Sequence, residues 1–368
     1  MAKHPPKAFP KTSAAPVSTE ELRLRRTMDA SPLTRAVTKT SLARIPAPSL
    51  AGLLAKVASV LPPGKAELRE LFMAAVAARA PRRARATGDA VQLDDLLFLN
   101  VIGYANGELL PQVCQEDWWV SLQADSVLPG LGAALVGVAV GSTQNVSVIL
   151  PPDFPVEKFQ SGPAVISVQV KSAEEILIPE GEATSPEYLT ALGFPETLDE
   201  ALEVVVEEEE ERRAAAQRRE ILLQLLAQLV ARAPASIPDL AVETAIGHEW
   251  NEYQGRFLLA QSIPAEDRDL AARTWFQNPT LREHVRSQLH EALVIQAIVQ
   301  EEKLNEFTES AFEEYVTSGA LEMGMDPAKI LGEIRVDPKM VKSLRERFAW
   351  KLAMDFLLDR ATVEELPA

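Results

Sequence analysis

The spacing of apolar and polar positions divides the chain into four parts. From Met1 to Pro48 the apolar residues keep no period, and Pro, Ser, Thr, Ala, Lys and Arg prevail. Residues 1–48 therefore read as a basic, mostly disordered arm, with one short helix at "STEELRLRR" capped by Ser18 or Thr19. In residues 49–88, "SLAGLLAKVASVL" and "KAELRELFMAAVAARA" each line leucines and alanines along one stripe and stop at proline. That pattern predicts two short amphipathic helices, and "PRRARATGD" after them reads as a basic linker.

Residues 89–178 change period. "VQLDDLLFLNVIGY", "TQNVSVIL" and "AVISVQVKSAEEILI" alternate and are β-branched, and Asn106-Gly107 is a hairpin turn signal. With one short helix at "LGAALVG", this predicts a small antiparallel sheet carrying a helix on its face. Residues 179–368 are helical. Thr197-Leu-Asp-Glu200 is a capping box opening a helix to about Arg232, roughly 50 Å long. Its middle, "EEEEERRAAAQRRE", is polar on every side, with Glu208–Arg212 and Glu209–Arg213 at i,i+4, and predicts a segment bridging through solvent. Further helices open at Pro238, Pro264, Pro279, Pro327 and Pro338 in N1 positions, the last two capped by Asp326 and Asp337. The fold class is α+β: a small sheet domain and a large, extended all-helical one.

Charge sharpens this division. The first 90 residues carry about +10, so the remainder must carry about −26 to reach the formal −16 of the 368-residue chain. A basic arm beside an acidic body admits contact with RNA, docking on the protein's own surface, or a solvated tail. Without interleaved aromatics, the arm predicts no specific nucleic-acid binding. No signal-peptide pattern opens the chain, and its apolar runs are too short to span a bilayer, so a soluble cytoplasmic protein with no membrane partner is expected.

Little in the sequence equips it for chemistry. The single cysteine, Cys114, has no disulfide partner, and no Cys/His cluster has zinc-ligand spacing. There is no phosphate-binding glycine loop, no Gly-x-Ser-x-Gly and no His-Glu-x-x-His. His248, His284 and His290 read as surface residues. No cofactor and no metal are expected.

One stretch fits a binding module. "Val127-Leu128-Pro129-Gly130-Leu131", a short helix, a strand and "Pro151-Pro152-Asp153-Phe154" together resemble the FKBP-type peptidyl-prolyl isomerase domain, over residues 89–178. Beyond it, "SPEYLTALGFPETLDEALEVVVEEEEERRAAAQRREILLQLLAQLVARAPASIPDL" is similar to the helical chaperone region of the trigger factor family. The order of the two regions is also that of the family, and the resemblance covers about three quarters of the chain.

The resemblance implies a proline pocket lined by Val101, Leu110, Trp118, Val127, Leu128, Leu131, Phe154 and Ile166. Trp118 and Phe154 keep aromatic walls, whereas Val101, Leu110, Leu131 and Ile166 fall where the family usually has aromatics. Pro111 stands at the usual acidic position, and for Val101 and Ile166 an ordinary apolar core explains the residue equally well. The family's ribosome-docking Gly-Phe-Arg-x-x-Lys loop has no counterpart, since Phe9 and Phe72 are the only phenylalanines before residue 90 and neither follows glycine.

Three functions compete: an ATP-independent holdase for unfolded or newly made polypeptides with a weak isomerase module, a working peptidyl-prolyl isomerase, and a dedicated scaffold for one partner. The acidic body favours basic clients. Ile246, Trp250, Tyr253 and Phe257 recur at helical spacing, as a client cradle or, the periodicity favouring it, as the packed seam of their own helix.

Overall fold

The computed structural model describes residues 42–122, 130–178 and 185–366. The helix at "STEELRLRR" and the pocket candidates Val127 and Leu128 lie outside them.

Strand β1 (Leu54–Ala58) stands where a helix was predicted. Its Leu/Ala run hides a period of two: Leu53, Ala55 and Val57 are buried while Leu54, Lys56 and Ala58 turn away. Gly52, at φ +66°, turns the chain into it. Helix α1 (Lys65–Arg79) follows as predicted and buries Phe72 and Val76. The expected basic linker is instead strand β2 (Arg82–Ala84). Its cations are neutralised by strand partners, Arg83 by Glu175 and Arg82 by Glu174 at 3.8 Å. Just beyond, Arg85 makes a bidentate bond to Asp95 at 2.6 and 2.8 Å, and Asp95 also accepts from the backbone N–H of Gln92.

The main sheet contains β2, β3 (Leu96–Ala105), β4 (Glu108–Ser121), β5 (Thr143–Ile149) and β6 (Pro163–Ile176). Its order is β2-β6-β3-β4, with β5 also on β6, and every pairing is antiparallel. Asn106 and Gly107 both have positive φ in the β3–β4 turn, the conformation their dipeptide favours. A five-residue helix, α2 (Leu131–Leu135), packs on the inner face.

The helical part comprises α3 (Pro186–Ala191), α4 (Leu198–Arg232), α5 (Asp239–Glu252), α6 (Gln254–Ala260), α7 (Ala265–Gln277), α8 (Pro279–Glu301), α9 (Glu309–Glu322), α10 (Pro327–Val336) and α11 (Pro338–Arg360). Thr197, Asp326 and Asp337 cap as their sequence positions imply, each side chain accepting from the first turn's N–H groups. Pro279, Pro327 and Pro338 occupy the first helical position, whereas Pro238 and Pro264 sit one residue earlier, as the N-cap itself. A last strand, β7 (Thr362–Leu366), pairs in parallel with β1. Of the three histidines read as surface residues, His248 and His290 are half-buried, and His290 Nε2 lies 2.7 Å from the carbonyl of Ala233 at the end of α4.

The polar middle of α4 is exposed along most of its length, with one acid buried within it. Glu209 is 4% exposed, and it accepts from Arg212 at 2.7 Å twice and from Arg213 at 2.6 Å. Arg213 continues to the carbonyl of Leu61 at 2.6 Å and to Glu67, while Glu208 pairs with Arg79 of α1. The carboxylate of Glu209 is consequently held below the usual range, first by the Arg212 hydrogen bond and against the effect of burial. Burial of this one acid is possible because two guanidinium groups from the next turn of the same helix meet its carboxylate.

The Arg85–Asp95 pair ties β2 to the start of β3, with Asp95 2% and Arg85 12% exposed. Replacing Asp95 by Ala leaves a guanidinium without its partner in a nearly closed site. That variant is expected to lose about 3 kcal/mol of stability, read by denaturant unfolding.

Candidate peptide-binding site

The hydrogen-bond ladder of β4 decides where the candidate pocket residues point. Between Leu99↔Trp118 and Val101↔Gln115, one residue of β3 faces two of β4, and the Asp117 N–H freed by this bulge donates to Asn100 Oδ1 at 3.1 Å. Past it, Val101↔Gln115 and Gly103↔Leu110 leave Pro111 to Cys114 opposite the single residue Ile102. Pro111, with no N–H to offer, suits the first position of this excursion on an edge strand. Gly103 is required there, because a Cβ would lie 2.8 Å from Cβ of Val113. Pro111 is itself buried, at the position where the family usually places an acid.

The two bulges turn Trp118 inward with Val101 and Leu110. Ile166 of β6, Leu131 at the start of α2 and Phe154 from the β5–β6 connection complete the set. The structure thus gathers all six described pocket candidates into one cluster. Each is at most 9% exposed, so the cluster is a filled core rather than an open proline cavity. Aliphatic side chains in place of aromatics pack the interior between sheet and α2, with Val168, Val170 and Leu135 among them.

The other face of the sheet is covered too. Leu109 and Cys114 of β4 pack into a second cluster with Ile246, Trp250, Phe257, Leu258, Trp275 and Leu289 of the helices. Three of the four cradle candidates are therefore core: Ile246, Trp250 and Phe257 are buried and closed to a client. The helical stripe is interrupted at Tyr253, where α5 ends and α6 begins, and Tyr253 alone is 47% exposed. Trp250 and Trp275 stand 6.1 Å apart, and Gly255 makes room for them, since a Cβ there would lie 2.6 Å from Trp250 Nε1.

Two exposed apolar features went unread in the sequence. Trp119, the neighbour of inward Trp118, faces outward and stacks on Phe98 at 4.7 Å, with Lys171 Nζ 4.5 Å from the Phe98 ring. Strand alternation makes consecutive tryptophans face opposite sides, which was the available signal. The second feature lies in the last three helices, where Leu321, Met323, Met325, Val336 and Met340 are all exposed. Their sequence carries no period that separates them from core. Among the described residues no group of His, Cys, Asp and Glu is placed to hold a metal ion, and no helix is long and apolar enough to cross a membrane.

Comparison with known proteins follows this division of the chain. The family model for the bacterial trigger factor protein C-terminus matches residues 197–359, from the N-cap of α4 nearly to the end of α11. Curated trigger factors match over a wider span. The one from Syntrophomonas wolfei is 22% identical over 74% of this chain and 61% of its own length. That from Novosphingobium aromaticivorans is 24% identical over 88% of this chain and 61% of its own. The helical part of the chain thus matches the trigger factor C-terminus, and the chain over most of its length is similar to trigger factors. It spans about three-fifths of the length of these curated family members, 61% in both cases. A solved trigger factor chaperone, described for promiscuous substrate recognition in folding and assembly, aligns at 16% identity with a TM-score of 0.32, covering 79% of this chain and 66% of that one.

Two outcomes follow from the burial. Serine at Trp250 or Phe257 is expected to cost about 3–5 kcal/mol and to lower the melting temperature markedly, as removal of core side chains does. Cys114, whose Sγ donates to the carbonyl of Leu110 at 3.3 Å, has its thiol pushed up to about 12 by burial. It is expected to resist alkylation at pH 8 in the folded chain and to react on unfolding. The unfolded thiol titrates near 9.0, so its neutral folded form favours the native state fully below that pH. This contribution is lost as pH rises towards 12, read as a falling unfolding midpoint.

Proposed function

We propose that this chain is an ATP-independent holdase for unfolded or newly made polypeptides in the cytoplasm, with a weak isomerase module. The observation that supports the holding role is the exposed apolar set at the end of the helical body. Leu321, Met323 and Met325 lie at and just past the end of α9, and Val336 and Met340 lie around the junction of α10 and α11. The two groups flank α10, whose 10 residues make it about 15 Å long.

Methionine suits such a surface, because an unbranched thioether adapts to many partner shapes. Ion pairs interrupt the apolar surface, Arg335 with Glu313 at 2.5 Å and Lys329 with Glu333 at 3.9 Å. Interruption of this kind lets a protein expose apolar side chains without aggregating. The negative body favours basic clients, with binding that weakens as salt screens the charges. Docking on the ribosome through the family loop forms no part of this reading.

The weak-isomerase part rests on the packed pocket. Rotating an X-Pro bond over a barrier of about 20 kcal/mol requires a site that admits the proline ring and desolvates its amide. Here the walls fill their own space, and Trp118 is the most exposed of them at 9%.

Aspartate at Met323, Met325 and Met340 together tests the reading. Suppression of client aggregation is expected to fall several-fold while the melting temperature stays within a few degrees. Proline-peptide isomerisation by the unaltered chain is expected to run close to the uncatalysed rate. Full suppression by the triple variant removes the methionine surface from the account, and turnover like that of an ordinary isomerase removes the weak module. A pull-down returning one protein instead of many points to the single-partner scaffold.

A further inference from the structure

Strand β1 has two hydrogen-bonding edges, and both are used. In a parallel pair, alternate residues direct their N–H and C=O to the neighbour, and the residues between direct theirs away. Thr362 donates to the carbonyl of Leu53 at 2.9 Å, and Ser59 donates to that of Leu366 at 3.0 Å. With the register Leu54↔Thr362 to Ala58↔Leu366, these two bonds fix the parity of the ladder. Ala55 and Val57 face β7, and Leu54, Lys56 and Ala58 face away from it.

On that far edge a glutamine ladder from α4 replaces a strand. Gln228 exchanges two hydrogen bonds with the backbone of Leu54, at 3.3 and 2.6 Å. Gln224 does the same with Lys56, at 2.9 and 2.8 Å, and Gln217 donates to the carbonyl of Ala58 at 2.9 Å.

Strand β7 has no such cover. By the same parity, Thr362, Glu364 and Leu366 bond to β1, and Val363 and Glu365 point their N–H and C=O outward. Among the described residues none of these four groups has a hydrogen-bond partner, and all five residues of the strand are exposed. We propose that this outer edge of β7 is a strand-addition site for extended, basic segments of non-native polypeptides.

The occupant's chemistry follows from the edge. Its backbone must be extended, because only alternate amides match the spacing of Val363 and Glu365. Its charge must be positive, because Glu364 and Glu365 are the strand's ionisable side chains and Asp359 lies shortly before them. Glu364 already attracts one cation, Lys56, at 2.9 Å across the β1 pairing. The same acids disfavour a second copy of this chain, since two β7 edges side by side would bring glutamate against glutamate. The side chain of Val363 shares its face with Ala55 and Val57, which close the core beneath. Glu365 lies on that same face and Glu364 on the opposite one, so a segment that mixes apolar and basic residues fits best.

The site rests on the client-binding reading for its biological use, but its chemistry is measured separately. The probe is a fluorescently labelled peptide of alternating valine and lysine, titrated into the full chain and followed by anisotropy. A relative of the peptide carries N-methyl groups on all its backbone amides, so no register or strand direction leaves an N–H for β7. It is expected to bind about tenfold or more weakly than the parent. Binding equal to the parent's overturns strand addition.

Proline at Val363 and Glu365 removes the two outward N–H groups and spares those that bond β1. That variant is expected to keep its melting temperature and lose the peptide by a similar factor; unchanged binding overturns the proposal. Hydrogen exchange at Val363 and Glu365 in the free chain is expected to be fast. Protection independent of concentration hands the edge to the chain's own basic arm, protection that grows with concentration hands it to a second copy, and either overturns the proposal. If the chain suppresses aggregation without capturing the peptide, strand addition fails alone. If it captures the peptide and suppresses nothing, the holdase reading fails and the edge stands.

Discussion

The arrangement depends on three glutamine side chains that act as a strand. Gln224 and Gln228 lie one helical turn apart on α4, a rise of about 6 Å. Lys56 and Leu54 lie two residues apart on β1, about 6.6 Å. The two periods nearly coincide, so two side-chain amides can each exchange a pair of bonds with the strand backbone. A lone strand laid on a helix would otherwise leave one edge of amides unsatisfied beside a buried core. With that edge closed, Leu53, Ala55 and Val57 can face Ile221, Leu225, Leu229, Val294, Ile298 and Leu357. A single stretch of extended chain thereby ties α4, α8 and α11 together.

The same helix explains how a polar rod joins two bodies. Its first turns pack Ala201 and Val205 against α1 and α3, and its last turns carry the leucines beneath β1. Between them the apolar surface runs out, and charge takes over: Glu209, Arg212 and Arg213 replace packing with oriented ion pairs. Pairs of this kind contribute little net stability but define a register. Along α4 the link is thus specified by geometry more than by burial, whereas β4 joins the helices through the buried cluster around Trp250 and Trp275.

Local signals announced much of this, and pairing over long distances announced none of it. The cap at Thr197, the Asn106-Gly107 turn and the aspartates before Pro327 and Pro338 act within a few residues, and each appears where its chemistry requires. β1 and β2 were misread because their structure is decided by distant partners: Leu54 pairs with Thr362, and Arg82 with Ile176. A leucine-alanine run has good helix propensity, and tertiary hydrogen bonds overrode it. The arm up to residue 41 and the pocket candidates Val127 and Leu128 fall outside the described residues. The six other pocket candidates lie in one buried cluster, and their places in the sequence did not reveal how closely their side chains pack. Openness depends on side-chain volume in three dimensions, and a list of positions does not contain it.

Burial also reverses an intuition about which residues are left at the surface. Aromatic side chains at helical spacing look like a binding stripe, but Trp250 and Phe257 gain most by leaving water, and the outer face of β4 gives them a surface to leave it against. The side chains left outside around α10 are chiefly Met, Leu and Val. A rigid aromatic surface selects a shape, whereas flexible methionines accept many. Packing the aromatics inward and leaving methionines outward therefore removes selectivity for shape from the surface. On the proposed holding role, discrimination then falls to charge, which varies with a client's sequence, while the extended backbone is common to every unfolded chain.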